Sequence, residues 1–305
     1  MNIYDAECRL KSIMGKFYYR GTAGYVAGKI MERITGMETR ERAFNKTTIL
    51  STEQKKKFEK IAGELDAKKP YQYILNETHY DGHVFYVDEN VTIPMSETGS
   101  MVSFIKDFVL DKRSDSAYAG KGFNIIDIGT GSGFIAILLK KYSPSLTVYA
   151  CDISEKALQV AIRNSRDSGT DIKIMQLNFL DQDEWKRLPI LDLIVCNPPF
   201  VPDAEILSKK NELYEPYDGL FIHNNDTLVF YKALAAFAQK KLRPKGKIFV
   251  QVRENLQEAF TKLFEASGFV CVHTYKQSLL EVDLIISAYY KEPDLTGFDE
   301  GYFYS

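Results

Sequence analysis

The sequence predicts an α/β protein with a parallel, doubly wound sheet of seven strands, preceded by a small helical segment and a β-hairpin. The first observation is that strand-like runs alternate with helical stretches from residue 124 onward, which is typical of parallel sheets with helical connections. The second is that only residues 274–281 separate the last two strands. They are too few for a crossover helix, so the last strand should run antiparallel to its neighbour. The predicted strands are Asn124–Ile128, Thr147–Cys151, Ile172–Met175, Leu191–Cys196, Lys247–Val252, Val270–His273 and Val282–Ser287.

The overall composition is that of an ordinary globular protein. The chain has 305 residues, of which 45% are hydrophobic and 26% charged, and is long enough for two domains. A net charge of −2 and a pI near 6.2 provide no overall attraction for nucleic acid or anionic lipid. The N-terminus has no signal-peptide pattern, and no apolar run reaches the ~20 residues of a membrane span. We therefore expect a cytoplasmic protein.

The cysteines and histidines lack the spacing of metal ligands. Cys8, Cys151, Cys196 and Cys271 are far apart in the sequence, so we expect buried thiols in a reducing compartment. The four histidines do not cluster with acidic residues in any ligand pattern. The sequence therefore predicts no metal site.

Residues 1–70 predict a small helical domain. Apolar residues recur at helical spacing between Tyr25 and Ile34, and Gly36 is a plausible stop for this helix. Ser51 and Gln54 have the spacing of a capping box, which predicts the start of another helix. We expect this domain to serve substrate recognition or simple support.

The next segments predict a linker and an α/β domain. Residues 71–93 are rich in β-favouring side chains and contain an Asp81-Gly82 turn signal, which predicts a β-hairpin linker. A helix should then open at Ser96 or Thr98. Residues 94–290 would form the α/β domain, and residues 291–305 an aromatic C-terminal tail.

A glycine-rich loop follows the first strand of the sheet. Its sequence is Asp-Ile-Gly-Thr-Gly-Ser-Gly over residues 127–133, and it leads directly into a helix. Glycines let a backbone turn sharply and approach a ligand closely. The spacing differs from the dinucleotide fingerprint, so the ligand class stays open from this loop alone. The loop residues predicted to bind a cofactor are Asp127, Gly129, Thr130, Gly131 and Gly133.

Two further strand ends carry residues suited to a nucleoside. Asp152 ends the second strand, where an acid can accept hydrogen bonds from both ribose hydroxyls; alternatively it caps the helix that begins there. Ile153 is adjacent to it. After the third strand, Asn178 can bond to a base and Phe179 can stack on it, although an ordinary loop is an open alternative.

The fourth strand, Leu191–Cys196, ends in Asn197-Pro198-Pro199-Phe200. Its apolar residues suit a strand covered on both faces. The prolines cannot donate backbone hydrogen bonds, so the chain must leave the sheet there. The carbonyl groups of the first two residues of the tetrapeptide are then available as acceptors. With the Asn197 amide oxygen and the Phe200 ring, they predict a socket for a planar group that bears an NH2.

In this order the motifs resemble the class I S-adenosylmethionine-dependent methyltransferases, and Asn-Pro-Pro-aromatic resembles the subset that methylates planar nitrogens. The resemblance extends from about residue 20 to residue 290. It includes the Pro-Tyr-Gln-Tyr-Ile run at 70–74, Ile93-Pro94, Glu97-Thr98 and Tyr214-Glu215-Pro216. Together these motifs resemble the release-factor glutamine N5-methyltransferases of the HemK/PrmC type.

The resemblance implies a Rossmann-like seven-stranded methyltransferase sheet, a helical N-terminal domain and a hairpin linker. It implies methyl transfer from S-adenosyl-L-methionine, with S-adenosyl-L-homocysteine as product, to the Gly-Gly-Gln glutamine of peptide-chain release factors. The cofactor site would be the glycine loop with Asp152, Ile153, Asn178, Phe179 and Asn197. The catalytic residues would be Asn197, Pro198 and Phe200, and the substrate would also contact Glu97, Thr98 and Pro199.

This chain departs from the family pattern beside the proposed substrate. The family pattern Pro-Arg-Pro-Glu-Thr-Glu stands here as Pro-Met-Ser-Glu-Thr-Gly over residues 94–99. Met95 therefore removes a cation and Gly99 an acid, while Ser96 replaces a proline. Phe200 replaces the usual Tyr, and Gln251 stands where an acid is common. These changes make a paralogue that methylates the amide or amine nitrogen of a different substrate, such as a small metabolite, the main alternative.

Two other classes compete with these enzymes. A nucleic-acid amino-methyltransferase uses a similar motif, but the chain has no basic tract for phosphates. A binding protein without turnover is the other alternative, and Asn197 argues against it. We expect no membrane partner and no direct nucleic-acid partner.

Overall fold

The structure is a computed structural model that describes residues 1–94, 96–113, 122–198, 201–202, 214, 221–222, 226–276 and 283–290. These residues form two compact units. The first contains Met1–Thr78, Val87–Glu89 and Tyr214, and the second contains the other described residues.

The first unit is helical. Its core is formed by the apolar faces of several helices, to which Leu10, Ile30 and Phe58 each contribute from a different helix. Gly36 ends the second helix in the left-handed conformation, with φ 73°, as predicted. The predicted capping box at Ser51 and Gln54 is also confirmed. The helices are α1 (Ile3–Met14), α2 (Arg20–Thr35), α3 (Thr39–Phe44), α4 (Thr52–Asp66) and α5 (Tyr71–Leu75).

Helix α5 corrects the prediction that the β-hairpin linker starts at residue 71. The segment contains β-favouring residues, but its tertiary contacts favour a helix. Tyr73 and Leu75 are buried. Arg33 Nη1 donates to the carbonyl oxygens of Ile74 at 3.0 Å and Leu75 at 2.7 Å. These bonds satisfy carbonyl groups that lack a helical partner at the end of α5.

The hairpin is formed by β1 (Thr78–Tyr80) and β2 (His83–Phe85). The predicted turn at Asp81-Gly82 is confirmed, with φ values of 47° and 74°. Two successive positive φ values give the twist that a two-residue hairpin loop requires.

The second unit contains the predicted seven-stranded sheet. The strand order is β10-β11-β9-β6-β3-β4-β5, and β11 runs antiparallel to both β9 and β10, which confirms the predicted reversed strand. The strands are β3 (Asn124–Ile128), β4 (Thr147–Asp152), β5 (Lys173–Gln176), β6 (Leu191–Cys196), β9 (Leu242–Arg253), β10 (Phe269–Lys276) and β11 (Asp283–Tyr290). A short parallel pair is formed by β7 (Val201–Pro202) and β8 (Phe221–Ile222).

Helices cover both faces of the sheet. Leu193 and Val195 of β6 pack in one apolar cluster, while Ile194 and Cys196 pack in another, as expected for a strand buried on both faces. The first cluster includes side chains of α6 and α7, and the second includes side chains of α9 and α10. The helices of this unit are α6 (Ser96–Arg113), α7 (Phe134–Tyr142), α8 (Glu155–Ser168), α9 (Val229–Lys241) and α10 (Gln257–Ala266).

Two general predictions can be compared with the described residues. Cys151 and Cys196 are buried as predicted, but Cys8 is exposed because it lies on the outer face of α1, which corrects that prediction. No helix within these ranges is both long enough and apolar enough to cross a bilayer. The side chain of Cys271 and the tail at 291–305 lie outside the described residues.

Candidate active site

The candidate site lies where β3, β4 and β6 end. Strand β3 pairs in parallel with β4 on one side and β6 on the other, with Ile128 opposite both Cys151 and Cys196. The carboxyl ends of these strands therefore meet at one edge of the sheet, where open α/β sheets bind their ligands. The predicted loop, acid and Asn-Pro motif all follow these strand ends.

The glycine loop is fixed by hydrogen bonds to the neighbouring strand β4. The N–H groups of Gly129 and Thr130 donate to the Cys151 carbonyl oxygen at 2.9 and 3.0 Å. The Gly131 N–H donates to Asp152 Oδ2 at 2.9 Å. Gly131 has a φ of 52°, and an added Cβ there would have no heavy atom within 4 Å. The loop therefore presents backbone to open space, as a ligand cradle requires.

Asp127 is fully buried beneath this loop. Its Oδ2 accepts hydrogen bonds from the Thr130 hydroxyl at 2.7 Å and from the Ala136 N–H at 3.2 Å. Its Oδ1 has no donor among the described residues. Burial raises the pKa of Asp127 to about 7; the bonds from Thr130 and Ala136 oppose this shift, and the charge of Asp152 adds to it. The same burial, with Asp127 nearby, raises the pKa values of Cys151 and Cys196, so both remain thiols.

Asp152 joins the end of β4 to the glycine loop. Its Oδ1 accepts from the Ser154 N–H at 2.9 Å, while its Oδ2 holds Gly131. The helix cap of α8 is Ser154, whose hydroxyl accepts from the Ala157 N–H at 3.3 Å. Burial raises the pKa of Asp152, and the backbone N–H bonds oppose that shift. A carboxylate offers about four lone-pair sites, so the backbone N–H groups of Ser154, Gly131 and Ile153 leave capacity for a ligand hydroxyl.

Asn197 lies at the tip of β6, beside the glycine loop. A Cβ on Gly129 would lie 4.0 Å from the Asn197 carbonyl oxygen. The Asn197 side-chain Oδ1 is buried and has no donor among the described residues. A buried amide oxygen without a donor is costly, so such an atom indicates an acceptor for a ligand. Pro198 is buried, and Pro199 and Phe200 lie outside the described residues.

Phe179, predicted to stack on a base, is only 5% exposed. Its ring packs against those of Trp185, Phe230 and Phe237, with centroid distances of 5.8, 5.1 and 5.2 Å. The neighbouring Asn178 is exposed, and its Oδ1 accepts from the Leu180 N–H at 3.1 Å. Ile153, next to Asp152, is 56% exposed and presents an apolar surface at the strand edge. The roles of Phe179, Asn178 and Ile153 stay predictions.

The predicted substrate residues of α6 are partly described. Thr98 is 7% exposed in the first turn of the helix. The side chains of Ser96 and Glu97, and all of Met95, lie outside the described residues. Gln251 is buried in β9, opposite Ile285 of β11.

Gly99 packs against the hairpin. A Cβ at this position would lie 2.1 Å from Cε2 and 2.7 Å from the hydroxyl oxygen of Tyr80. Tyr80 in turn packs edge-on against Phe134, the first residue of α7, with ring centroids 5.3 Å apart. The ring of Tyr80 therefore occupies the space that a side chain at position 99 would need.

Sequence reasoning missed two residues near the site. Tyr80 appeared only as a β-favouring residue, and its contact with Gly99 has no sequence signal. Asn164 lies in the middle of α8, yet its amide donates to the carbonyl oxygen of Ser132 in the glycine loop at 2.9 Å. A polar residue on the buried face of an amphipathic helix was the available signal.

The site suits a positively charged nucleoside cofactor. Asp127 and Asp152 place two carboxyl groups at the glycine loop, and burial raises the pKa of each. A nearby cation would favour their ionised forms and would itself be stabilised. No group of three or more His, Cys, Asp or Glu residues is placed to hold a metal within the described ranges.

Comparisons with known proteins agree with this geometry. A family model described as "Methyltransferase small domain" matches residues 111–212. The "Release factor glutamine methyltransferase" of Flavobacterium psychrophilum is 37% identical over 214 residues, covering 70% of this chain and 73% of that protein. The protein of the same description from Bacteroides thetaiotaomicron is 29% identical, covering 83% of this chain and 87% of that protein.

Among solved structures, the ribosomal protein L11 methylase from Lactobacillus delbrueckii subsp. bulgaricus matches with a TM-score of 0.46 and 19% identity. It covers 67% of this chain and 84% of that chain.

The sheet order, the glycine loop and the family model define a class of enzyme, the class I S-adenosylmethionine-dependent methyltransferases. The similarity to the Flavobacterium protein extends over most of both chains. The chain belongs to the release factor glutamine methyltransferase family, the HemK/PrmC type.

Proposed function

We propose that this chain transfers a methyl group from S-adenosylmethionine to the side-chain amide nitrogen of the Gly-Gly-Gln glutamine in peptide-chain release factors. The observation that carries this proposal is the buried Oδ1 of Asn197, which has no donor among the described residues and lies beside the glycine loop. The description of the two relatives above supports the choice of substrate.

The proposed chemistry follows from the weakness of an amide as a nucleophile. The nitrogen lone pair is delocalised into the carbonyl group, so the nitrogen must be oriented and made more electron-rich. The two hydrogens of the substrate NH2 would bond to Asn197 Oδ1 and to the Pro198 carbonyl oxygen. These bonds hold the nitrogen in line for attack, and the Phe200 ring supports the amide plane.

When bound, S-adenosylmethionine supplies an electrophilic methyl carbon on a sulfonium. The amide nitrogen, held by Asn197 and Pro198, would bond to this carbon as the carbon–sulfur bond breaks, which would leave S-adenosylhomocysteine as the second product. The methylated nitrogen is far more acidic than the free amide, so its proton can pass to water. No protein base is needed in this scheme.

The other residues would bind the two substrates. The glycine loop, with Asp127 and Thr130, would hold the amino-acid part of the cofactor, and Asp152 would accept from the ribose hydroxyls. Ile153 and Asn178 would flank the base, and the buried Phe179 ring would support this loop from the core. Glu97, Thr98 and Pro199 would contact the protein substrate, and the helical unit would contribute to its recognition.

The decisive experiment offers labelled S-adenosylmethionine and the purified enzyme to a release factor. Parallel reactions contain the same factor with the Gly-Gly-Gln glutamine replaced by alanine, ribosomal RNA, or a metabolite extract. We expect label only in the unmodified factor. Label that survives the glutamine replacement would reject the glutamine assignment. Label confined to metabolites or RNA would instead identify one of the alternative substrates.

Asn197→Ala tests the catalytic residue. Loss of one oriented polar contact should raise the barrier by about 2.7–4 kcal/mol, which lowers kcat by a factor of about 10²–10³. The dissociation constant for S-adenosylmethionine should change much less. Asn124→Ala is a matched control, because Asn124 begins β3 at the opposite end of the strand and its amide bonds to the Ile190 carbonyl oxygen at 3.0 Å. Wild-type kcat in Asn197→Ala would remove this residue from the mechanism.

A further inference from the structure

Asn164 connects two segments that are remote from it in sequence. The residue is 3% exposed on α8. Its Nδ2 donates to the carbonyl oxygens of Ser132 and Tyr86, both at 2.9 Å. Its Oδ1 accepts from the Tyr86 N–H at 2.7 Å. The glycine loop and the end of the hairpin are therefore held by one buried amide.

The hairpin end is firmly anchored and can serve as a fixed point. Besides its two backbone bonds to Asn164, Tyr86 has the Arg163 guanidinium 3.5 Å from its ring centroid. The preceding residue, Phe85, packs against Phe134 with ring centroids 4.9 Å apart. A residue bonded to Tyr86 is thereby held in place relative to the start of α7.

The Ser132–Gly133 peptide group needs such an anchor. The two glycines next to Ser132, Gly131 and Gly133, have φ values of 52° and 78°. Glycine enters and leaves this left-handed region at little cost, so its backbone alone holds the peptide group weakly. Its N–H donates to the Thr130 carbonyl oxygen at 2.8 Å, and its C=O accepts from Asn164. Without Asn164, the loop itself constrains only one end of this peptide, and a buried carbonyl loses its donor.

We propose that Asn164 is a positioning residue for the cofactor: by fixing the Ser132–Gly133 peptide against the hairpin, it holds the glycine loop in the shape that binds S-adenosylmethionine. This inference rests on the proposed cofactor site at the loop. Asn164 itself contacts loop backbone and acts on the cofactor only through it. Its replacement should therefore weaken cofactor binding more than protein-substrate binding.

Asn164→Asp is the most selective variant. The aspartate keeps the acceptor for the Tyr86 N–H; its ionised form cannot donate to either carbonyl group, and its neutral form has a single O–H that can donate to only one of them. We expect the calorimetric dissociation constants for S-adenosylmethionine and S-adenosylhomocysteine to rise at least tenfold. The KM for the release factor should change less than twofold. Asn164→Ser, which retains a short donor, serves if the aspartate variant does not fold.

Ser165→Ala is the matched control on the same helix. Ser165 is also buried, and its hydroxyl donates to the Thr170 carbonyl oxygen at 2.7 Å, away from the loop. Its replacement should lower the thermal midpoint without changing cofactor affinity. Wild-type cofactor affinity in a folded Asn164 variant would overturn the positioning role. Wild-type affinity in Asp152→Ala, or no binding by the wild-type enzyme, would instead reject the proposed cofactor site.

Discussion

Asp127→Asn should change how the stability of this enzyme depends on pH. The substitution keeps the shape of the side chain and an acceptor oxygen for Thr130 and Ala136, but it removes the titrating group. Burial raises the pKa of Asp127 from its ordinary value of 3.8 to about 7 in the folded protein. Because the folded pKa exceeds the unfolded one, folding favours the neutral carboxyl. Its stabilising contribution is complete below pH 3.8 and is lost as pH rises toward 7.

The magnitude follows from the size of the pKa shift. At 1.36 kcal/mol per unit, the total linked free energy is about 4 kcal/mol. Roughly a third of this free energy is already lost at pH 5, because the carboxyl of the unfolded chain is ionised there. Little changes above pH 8, where the folded carboxyl is ionised as well. Between pH 5 and pH 8, the free energy of unfolding of the wild type should therefore fall by about 2–3 kcal/mol relative to Asp127→Asn.

Urea unfolding of both proteins at pH 5, 6, 7 and 8 measures this difference, because titrating groups away from Asp127 cancel between them. Asp183→Asn is the control. Asp183 is exposed, and its hydrogen bond from Lys186 lowers its pKa, so its contribution is lost only at more acidic pH. The control should therefore follow the wild type between pH 5 and pH 8. Parallel curves for wild type and Asp127→Asn would show that the buried carboxyl is ionised throughout and would refute the argument.

Four other changes test the packing around the site and in the helical unit. Gly99→Ala should lower the thermal midpoint, because the new Cβ would lie 2.1 Å from the Tyr80 ring. The double variant with Tyr80→Ala should lose less stability than the two single variants lose together. Phe179→Leu should lower the free energy of unfolding in urea by about 1–2 kcal/mol. The dissociation constant for S-adenosylmethionine should stay within twofold of the wild-type value, and a tenfold rise would place the ring against the base. Ser51→Ala should lower the free energy of unfolding in urea by about 1 kcal/mol through loss of the capping box; an unchanged value would show that other contacts hold the helix end. Arg42→Met should destabilise the helical unit by about 2 kcal/mol in the same assay, since the buried guanidinium donates to a backbone carbonyl at 2.6 Å; an unchanged midpoint would make that bond dispensable.

Those parts of the fold that depend on local periodicity were predictable from sequence. The apolar run of β6, the capping box at Ser51 and the turn at Asp81-Gly82 each carry their information within a few residues. The reversed strand β11 was predictable because the short connection at 274–281 leaves no room for a crossover helix. The glycine loop, Asp152 and Asn197 come together because parallel strands end at the same edge of a sheet.

Features that depend on remote partners were not predictable in this way. Helix α5 contains β-favouring residues but is held by Arg33 from another helix. Phe179 is an aromatic residue after a strand, and this signal is the same for a ring in the core as for a ring against a ligand. Asn164 has partners 32 and 78 residues away, so no local motif identifies it.

The departures from the family pattern take on a physical meaning at Gly99. An acidic side chain at this position cannot coexist with the observed Tyr80 ring, because even its Cβ would overlap the ring carbons. The glycine at position 99 therefore fits a bulky neighbour on the hairpin. Asn197 lies on a different element, at the tip of β6, and its buried Oδ1 does not depend on this contact. The acceptor that the proposed amide chemistry needs is thus separate from the contact between Gly99 and Tyr80.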